Sequence, residues 1–441
     1  MRSEWPIVRL GDHCIKIGSG ATPKGGKEAY LEAGSYRLIR SQNVYNQGFA
    51  WQGLAFISEE QAQRLDGVAV EARDVLVNIT GDSVARVCTA PMAALPARVN
   101  QHVAIVRPRD TSFDADFLRW FLCTPEQQEI LLGLASAGAT RNALTKAMLE
   151  GLQVPMPPVL IQRILAAPLV AIENRIDLLR QTNATFEAIA QALFKSWFVD
   201  FDPVRAKAEG REPEGMDAAT AALFPSEFED SAIGPIPKGW RVGSLVDVSD
   251  LNAHSWSARR MPEEVVYVDL AGLKANAFDS LQRMVSSEAP SRARRELRAG
   301  DTLVGTVRPG NRSFGFVASA EPGLTGSTGF AVLSPRNTAY AEFTYLAATR
   351  STNIDRLAAL ADGGAYPAVR PELVATTEAT IPRDAVMQRF SQIAGVLLLR
   401  RAANEEQSRS LAEVRDALLP RLISGKLRVP EVSVQSEESA A

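Results

Sequence analysis

Apolar positions along most of this chain come in short β-branched runs, and twice this pattern gives way to a long stretch spaced by threes and fours. The runs Asp74 to Ile79, Val99 to Arg107, Glu263 to Leu270 and Gly329 to Leu333 are bounded by Gly, Pro, Asn and Asp. They predict strands and turns. Short helices are expected around Asp114 to Leu132 and Tyr340 to Leu360. Each is followed by a Gly-containing loop and a further strand, Leu152 to Pro155 or Ala379 to Pro382.

After Pro157-Pro158, a good helix opening, no glycine occurs from Leu160 to Phe198. Leu165, Leu169, Ile172, Ile176, Leu179, Phe186, Ala190, Leu193 and Trp197 alternate by three and four, the spacing of a coiled-coil seam. Asn183 sits on that seam, where a polar residue fixes register. Pro168 should kink the helix early or mark its true start. A second helix is expected from about Val386 to Leu419, with Phe390, Ile393, Leu397, Leu411, Val414 and Leu418 on one face and Asn404 on its seam. Pro420 should end it. Both seams need a partner, so the two helices are expected to pack on each other.

The two halves repeat one another. Trp5 to Asp12 returns as Trp240 to Asp247, Asp74-Val75-Leu76-Val77 as Asp301-Thr302-Leu303-Val304, and Gln162-Arg163 as Gln388-Arg389. Such a period is far longer than that of a solenoid and marks a duplicated domain pair. The expected fold is α+β, with two β-rich domains in a pseudo-two-fold arrangement separated by two long antiparallel coiled-coil spacer helices. The boundaries are read as a first β-rich domain over 1–158, a spacer helix over 159–199 and an acidic linker over 200–238. A second β-rich domain then covers 239–384, a second spacer helix 385–428, and a flexible tail 429–441.

Composition adds little to this and excludes some classes. The chain has 441 residues, 46% hydrophobic and 22% charged, with a formal net charge of −3. No apolar run approaches the ~20 residues of a membrane helix. The opening Met1 to Pro6 lacks a signal-peptide pattern, so a cytoplasmic location is expected. Cys14, Cys88 and Cys123 form no metal pattern with His13, His102 or His254; Cys14 beside His13 reads as a part-buried thiol rather than a reactive pair. No P-loop and no Asn-Pro-Pro-aromatic motif is present. Asp200, Asp202 and Lys207 lie beside Pro203 in the acidic segment and read as a solvated connector rather than a nuclease cluster.

Three stretches carry a family resemblance. Ala192-Leu193-Phe194-Lys195-Ser196-Trp197-Phe198-Val199-Asp200-Phe201-Asp202-Pro203-Val204-Arg205-Ala206-Lys207 resembles the signature after the central helix of Type I restriction–modification specificity subunits. Ile236-Pro237-Lys238-Gly239-Trp240 resembles the opening of their target-recognition domains, and Leu418 to Leu427 their C-terminal conserved region. The resemblance implies a non-catalytic subunit that binds double-stranded DNA at a bipartite target. It also implies docking with two methyltransferase subunits and with ATP-dependent translocase/nuclease restriction subunits. S-adenosylmethionine, ATP and magnesium would then belong to those partners, with no cofactor in this chain. The spacer helices would set the gap between half-sites.

DNA recognition needs Lys/Arg and amide donors on phosphates and Arg, Asn, Gln or Glu on base edges. In the first half the candidates are Lys24, Arg40, Gln42, Asn43, Asn78, Thr80, Ser83, Arg86, Asn100, Gln101, Arg141 and Asn142. In the second they are Arg259, Arg260, Arg308, Asn311, Arg312, Tyr366 and Arg370. Asn78 to Ser83 and Gly305 to Arg312 weigh most, because both follow a repeated strand and yet differ in residues. The competing expectation, favoured by the negative net charge, is a coiled-coil scaffold with two interaction heads that bind no DNA.

Overall fold

The computed structural model describes residues 5–23, 25–26, 30–136, 142–257 and 259–427. The chain divides into two units, one of Met1–Leu178 with Ser408–Ala441 and the other of Leu179–Gln407.

The first unit is built on a four-stranded antiparallel sheet in the order Cys14–Ser19, Val103–Pro108, Val75–Asn78, Val87–Thr89. Successive side chains of a strand point to opposite faces. Here Val75, Val77, Ala104 and Val106 enter one apolar cluster, while Leu76, Val103 and Ile105 enter another. Both faces are covered, which is why these strands read as continuous apolar runs rather than alternating ones. A three-stranded sheet, Ala55–Ile57, Tyr36–Ile39, Ala97–Val99, contains a parallel pair between its last two strands.

The second unit repeats this plan, with one further strand in its companion sheet. Its main sheet runs Ser249–Leu251, Phe330–Pro335, Thr302–Gly305, Phe314–Phe316. Its companion sheet, Gln282–Val285, Glu264–Val268, Leu324–Ser327, Ala293–Glu296, has the parallel pair in the corresponding place. A two-stranded ribbon closes each unit, Ile7–Arg9 with Gln153–Pro155 and Arg241–Ser244 with Glu378–Ile381.

The short helices depart from expectation. Each predicted helix is two, Ala115–Leu122 and Pro125–Ser136 in the first unit, Ala341–Thr349 and Ser351–Ala359 in the second. Pro125 disfavours helical geometry at Thr124 before it, and Arg350 breaks the second pair with extended backbone.

The long helices span Val159–Phe198 and Asp384–Ile423 and pack antiparallel. In the first unit Leu165, Ala166 and Leu169 share a core with Leu419, Leu422 and Ile423. In the second, Phe390 meets Phe198 (4.8 Å), Trp197 (5.7 Å) and Phe194 (6.1 Å). Pro168 lies inside a continuous helix, and Pro420 does not end the second one. A proline removes one backbone bond, and here burial of Leu422 and Ile423 outweighs that loss. The second seam also differs from expectation. It passes through Phe390, Ala394, Leu398, Arg401, Asn404, Arg415, Leu419 and Leu422, whereas Val414 is 48% exposed. Polar residues occupy the middle of this seam, so apolar spacing alone points to the wrong face.

The acidic segment 200–238 is folded, not a solvated connector. It forms helices Asp202–Ala208 and Ala218–Ala222 and a ribbon of Phe228–Glu229 with Ile236–Pro237. Phe201, Val204, Phe224 and Ile236 join Phe194, Trp197, Phe198 and Trp240 in one core. Each buried aromatic of this kind contributes ~1.5–3 kcal/mol, with about 1 kcal/mol more for each well-placed ring pair. The two motifs noticed separately in the sequence are thus two walls of one aromatic core. In the first unit the C-terminal motif does likewise: Gly425, at φ 69°, lies where a Cβ would stand 2.6 Å from the Trp5 ring.

Among the described residues no helix is long and apolar enough to cross a membrane. All three cysteines are buried free thiols. Burial pushes Cys14 and Cys88 up to about 12 and Cys123 up to about 11, with Arg109 or Arg119 opposing the shift only in part. His13 turns its Nδ1 to the Ser112 hydroxyl at 3.0 Å, so no thiol–imidazole pair forms. A thiolate-selective reagent at pH 8 should therefore label none of the three in native protein and all three in urea; rapid native labelling of Cys14 would contradict this burial.

Candidate nucleic-acid interface

The duplication persists down to single hydrogen bonds at one loop. In the first unit, the backbone N–H of Ile79 donates to the His102 carbonyl (2.9 Å), and the Ile79 carbonyl accepts from Leu144 (2.8 Å). Gly81 donates to Asn142 (3.3 Å) and Asn78 to Arg86 (2.8 Å). In the second unit, Thr306 donates to Gly329 (2.9 Å) and accepts from Val369 (2.9 Å). Arg308 donates to Pro367 (2.7 Å) and Gly305 to Ser313 (2.7 Å). A bridge joins Thr80 to Ala143 in one unit and Val307 to Ala368 in the other.

Backbone dihedrals repeat with the bonds. Gly81 (φ 75°) and Ala85 (φ 71°) correspond to Arg308 (φ 48°) and Arg312 (φ 58°). Left-handed backbone costs a non-glycine residue about 1–2 kcal/mol. The second unit thus places arginines where the first has a glycine and an alanine, against the local conformational preference. A side chain held at such a cost is a candidate for a functional role.

The bonds bring several first-unit candidates together. Loops 40–43, 78–86, 100–102 and 142–144 are sewn by Asn78 Nδ2 to the Ser41 carbonyl (2.8 Å), Asn100 N–H to Ile39 (3.1 Å) and the bonds above. The three asparagines do not face outward, however. Asn43 and Asn78 are fully buried, and Asn100 nearly so. Asn43 Oδ1 accepts from the Arg40 N–H (3.0 Å), and Asn100 Oδ1 accepts from the His102 N–H (3.0 Å). They hold the loops in shape, because a buried amide must find backbone partners. Asn142 and Gln42 are exposed. Gln101 Nε2 lies 3.0 Å from His102 Nε2, and Thr80 Oγ1 lies 2.5 Å from His102 Nδ1. Ser83 is half-buried. Arg40 stacks on Tyr30 at 5.0 Å and Arg86 on Tyr45 at 4.5 Å. Lys24 and Arg141 lie outside the described residues.

In the second unit Arg259, Arg260, Asn311, Tyr366 and Arg370 are exposed. Arg308, also exposed, lies over the Tyr366 ring at 4.7 Å and donates from NH2 to the Ala365 carbonyl (2.6 Å). Arg312 reaches Ser351 Oγ (3.2 Å) and Asp355 (3.5 Å). The segment carrying Arg259 and Arg260 runs beside the edge strand Ala293–Glu296, with Trp256 N–H donating to the Arg294 carbonyl (2.8 Å). From there Thr328 donates to Arg292 (2.9 Å), and its neighbour Gly329 accepts from Thr306. One run of hydrogen bonds therefore joins the Arg259 patch to the Arg308 loop.

Arginines sort into two kinds. Arg107 is paired with buried Asp74 (2.7 Å), Arg98 with Asp66 (2.8 Å) and Arg119 with Glu173 (2.5 Å). Arg259, Arg260, Arg308 and Arg370 make no ion pair among the described residues. Unpaired exposed guanidinium groups suit phosphates and base edges. Among the described residues no group of three or more His, Cys, Asp or Glu is placed to hold a metal ion.

Sequence reading missed the polar posts that fix each unit to its helix. In the first, Arg119 bridges Glu173 and the Asn46 carbonyl (2.9 Å), while Asn46 Oδ1 accepts from the Val87 N–H (2.8 Å). Burial raises the Glu173 carboxyl, against the pull of Arg119. In the second, Arg401 donates to the Asn276 carbonyl (2.7 Å) and faces Glu187 (3.6 Å), which also accepts from Tyr345 (2.7 Å) and Asn276 (3.2 Å). Asn183 Nδ2 donates to the Arg401 carbonyl (3.1 Å), and Asn404 Nδ2 to Asn183 Oδ1 (2.9 Å). Two asparagines at seam positions were the only sequence signal for this network.

This is a duplicated two-unit α+β protein whose units present one loop frame with unlike side chains. The chain is similar along most of its length to specificity subunits of Type I restriction–modification enzymes. Residues 2–188 match the family described as the Type I restriction modification DNA specificity domain. The HindI specificity subunit of Haemophilus influenzae is 24% identical over 376 residues, 75% of this chain and 81% of that one. The MjaIX specificity subunit of Methanocaldococcus jannaschii is 24% identical over 449 aligned residues, 97% of this chain and 95% of that one. The crystal structure of the Type I restriction–modification S subunit from M. genitalium shares the fold, with a TM-score of 0.55, 15% identity, and 95% and 96% of the two chains covered.

Two outcomes follow. Arg401→Met should lower stability by about 3 kcal/mol in urea denaturation, because it leaves the half-buried Glu187 carboxylate without its cation. Arg308→Gly should leave stability unchanged or raise it by up to ~1 kcal/mol, whereas Gly81→Ala should lower it by ~1 kcal/mol. Equal destabilisation by both would contradict the left-handed backbone.

Proposed function

We propose that this chain recognises a bipartite double-stranded DNA target, one half-site per unit, and directs partner methyltransferase and restriction subunits to it. The observation that carries this reading is the loop frame common to Asn78–Arg86 and Gly305–Ser313. The bonds are conserved between the units while the outward side chains differ, as two specificities on one scaffold require. Unpaired arginines at 259, 260, 308 and 370 supply the cationic groups. S-adenosylmethionine, ATP and magnesium act on the partner subunits, two of them methyltransferases. The faces of the long helices not buried within this chain supply docking surface for those partners, and the complex works in the cytoplasm.

Co-expression with the candidate methyltransferase subunits, followed by mapping of methylated adenine, tests the reading. A split motif with an unspecified gap is expected, and exchange of the loop 305–312 should alter only one half. DNA affinity of the complex should also fall steeply with salt, as counterion release dictates. A stable complex that methylates nothing and binds DNA without salt dependence would leave only the scaffold role.

A further inference from the structure

The Arg308 guanidinium, like that of the half-buried Arg40, lies over a tyrosine ring and donates to a backbone carbonyl, and unlike Arg40 it stands on left-handed backbone. The Arg308 Cζ lies over the exposed Tyr366 ring, 71% accessible, 4.7 Å from the centroid. One N–H is held by the Ala365 carbonyl at 2.6 Å. Its own N–H is tied to Pro367, and its backbone is fixed in the left-handed region at φ 48°. Three restraints of different kinds thus hold the guanidinium in place, while no carboxylate takes the remaining donors among the described residues.

A phosphate contact has no need of this. Phosphate oxygens accept from a mobile point charge at many angles, and a flexible lysine serves. A fixed planar fork is what a base edge requires, because two donors must meet two acceptors in one plane. In the major groove only guanine offers a pair of acceptors, O6 and N7, to such a fork. The corresponding position of the first unit is Gly81, which has no side chain, so this contact belongs to one unit alone.

We infer that Arg308, held over the Tyr366 ring, reads the O6/N7 edge of a guanine in the half-site recognised by the second unit. The inference rests on the DNA-recognition reading above and adds a base and a residue to it. It requires a G·C pair at a fixed place in that half-site. Tyr366 acts as a positioning residue through its ring face, so its hydroxyl is dispensable.

The test uses the full chain in complex with its methyltransferase subunits. Adenine-methylation motifs are compared for wild type, Arg308→Ala, Arg308→Lys, Tyr366→Phe and Tyr366→Leu, with thermal denaturation of each as the folding control. Arg308→Ala should relax one G-specified position of one half-motif, lowering discrimination there by about 5- to 150-fold, and leave the other half unchanged. Arg308→Lys should relax the same position although it keeps the charge. Tyr366→Phe should keep the motif, and Tyr366→Leu should weaken that position alone.

Uniform loss of methylation at all sites with an unchanged motif would overturn the inference in favour of a phosphate contact. An unchanged motif at unchanged efficiency, or a second half-site without any G·C pair, would overturn it outright. Absence of a split motif in the wild-type complex would instead remove the DNA-recognition reading itself, and the inference with it.

Discussion

The structure depends on the fact that neither long helix can bury its apolar face alone. Val159–Phe198 and Asp384–Ile423 each carry a seam that faces the other helix, and the match is enforced at a polar point. Asn183 and Asn404 bond to one another while buried, with Asn183 also satisfying the Arg401 carbonyl. A shift of either helix by one turn would strand these amides without partners, which costs about 1–3 kcal/mol for each buried group. Register is therefore set by hydrogen bonds, and apolar burial adds to it through Phe194, Trp197, Phe198 and Phe390 in the second unit and Leu165, Leu169, Leu419 and Leu422 in the first.

From these helices the polar posts lead outward to the sheets. Arg401 and Glu187 hold Asn276 of a two-residue hairpin turn, and that asparagine in turn caps the end of strand Phe314–Phe316. Arg119 and Glu173 hold Asn46 in the equivalent hairpin of the first unit. The strand that follows each variable loop is thereby fixed to a helix through two or three hydrogen bonds. Loop shape is a property of backbone bonding and buried asparagines, while the outward side chains are free to change. This division explains how one scaffold accommodates Gly81 in one unit and Arg308 in the other.

Charge is partitioned in the same spirit. The net charge of −3 conceals an acidic segment folded onto the aromatic core of the second unit, with Asp217 bound to Arg389 and Thr220. Most interior arginines are matched by carboxylates. Arg259, Arg260 and Arg308, exposed and without an ion pair among the described residues, lie along a single run of hydrogen bonds, where local potential rather than net charge governs an anionic partner.

The sequence by itself determined the duplication, the strand runs, the two long helices and the placement of Asn183 and Asn404, because each follows from short-range periodicity or direct repetition. It also marked Asn78–Ser83 and Gly305–Arg312 as equivalent, since both follow the same repeated strand. Only the tertiary structure decided that Asn43, Asn78 and Asn100 face inward, that Arg401 and Arg415 lie on the second seam in place of Val414, and that the acidic segment folds. These outcomes rest on which partner a polar or charged group finds across long sequence separations. A buried arginine with its carboxylate and an exposed one without look alike in a linear string, and burial with pairing is what separates them.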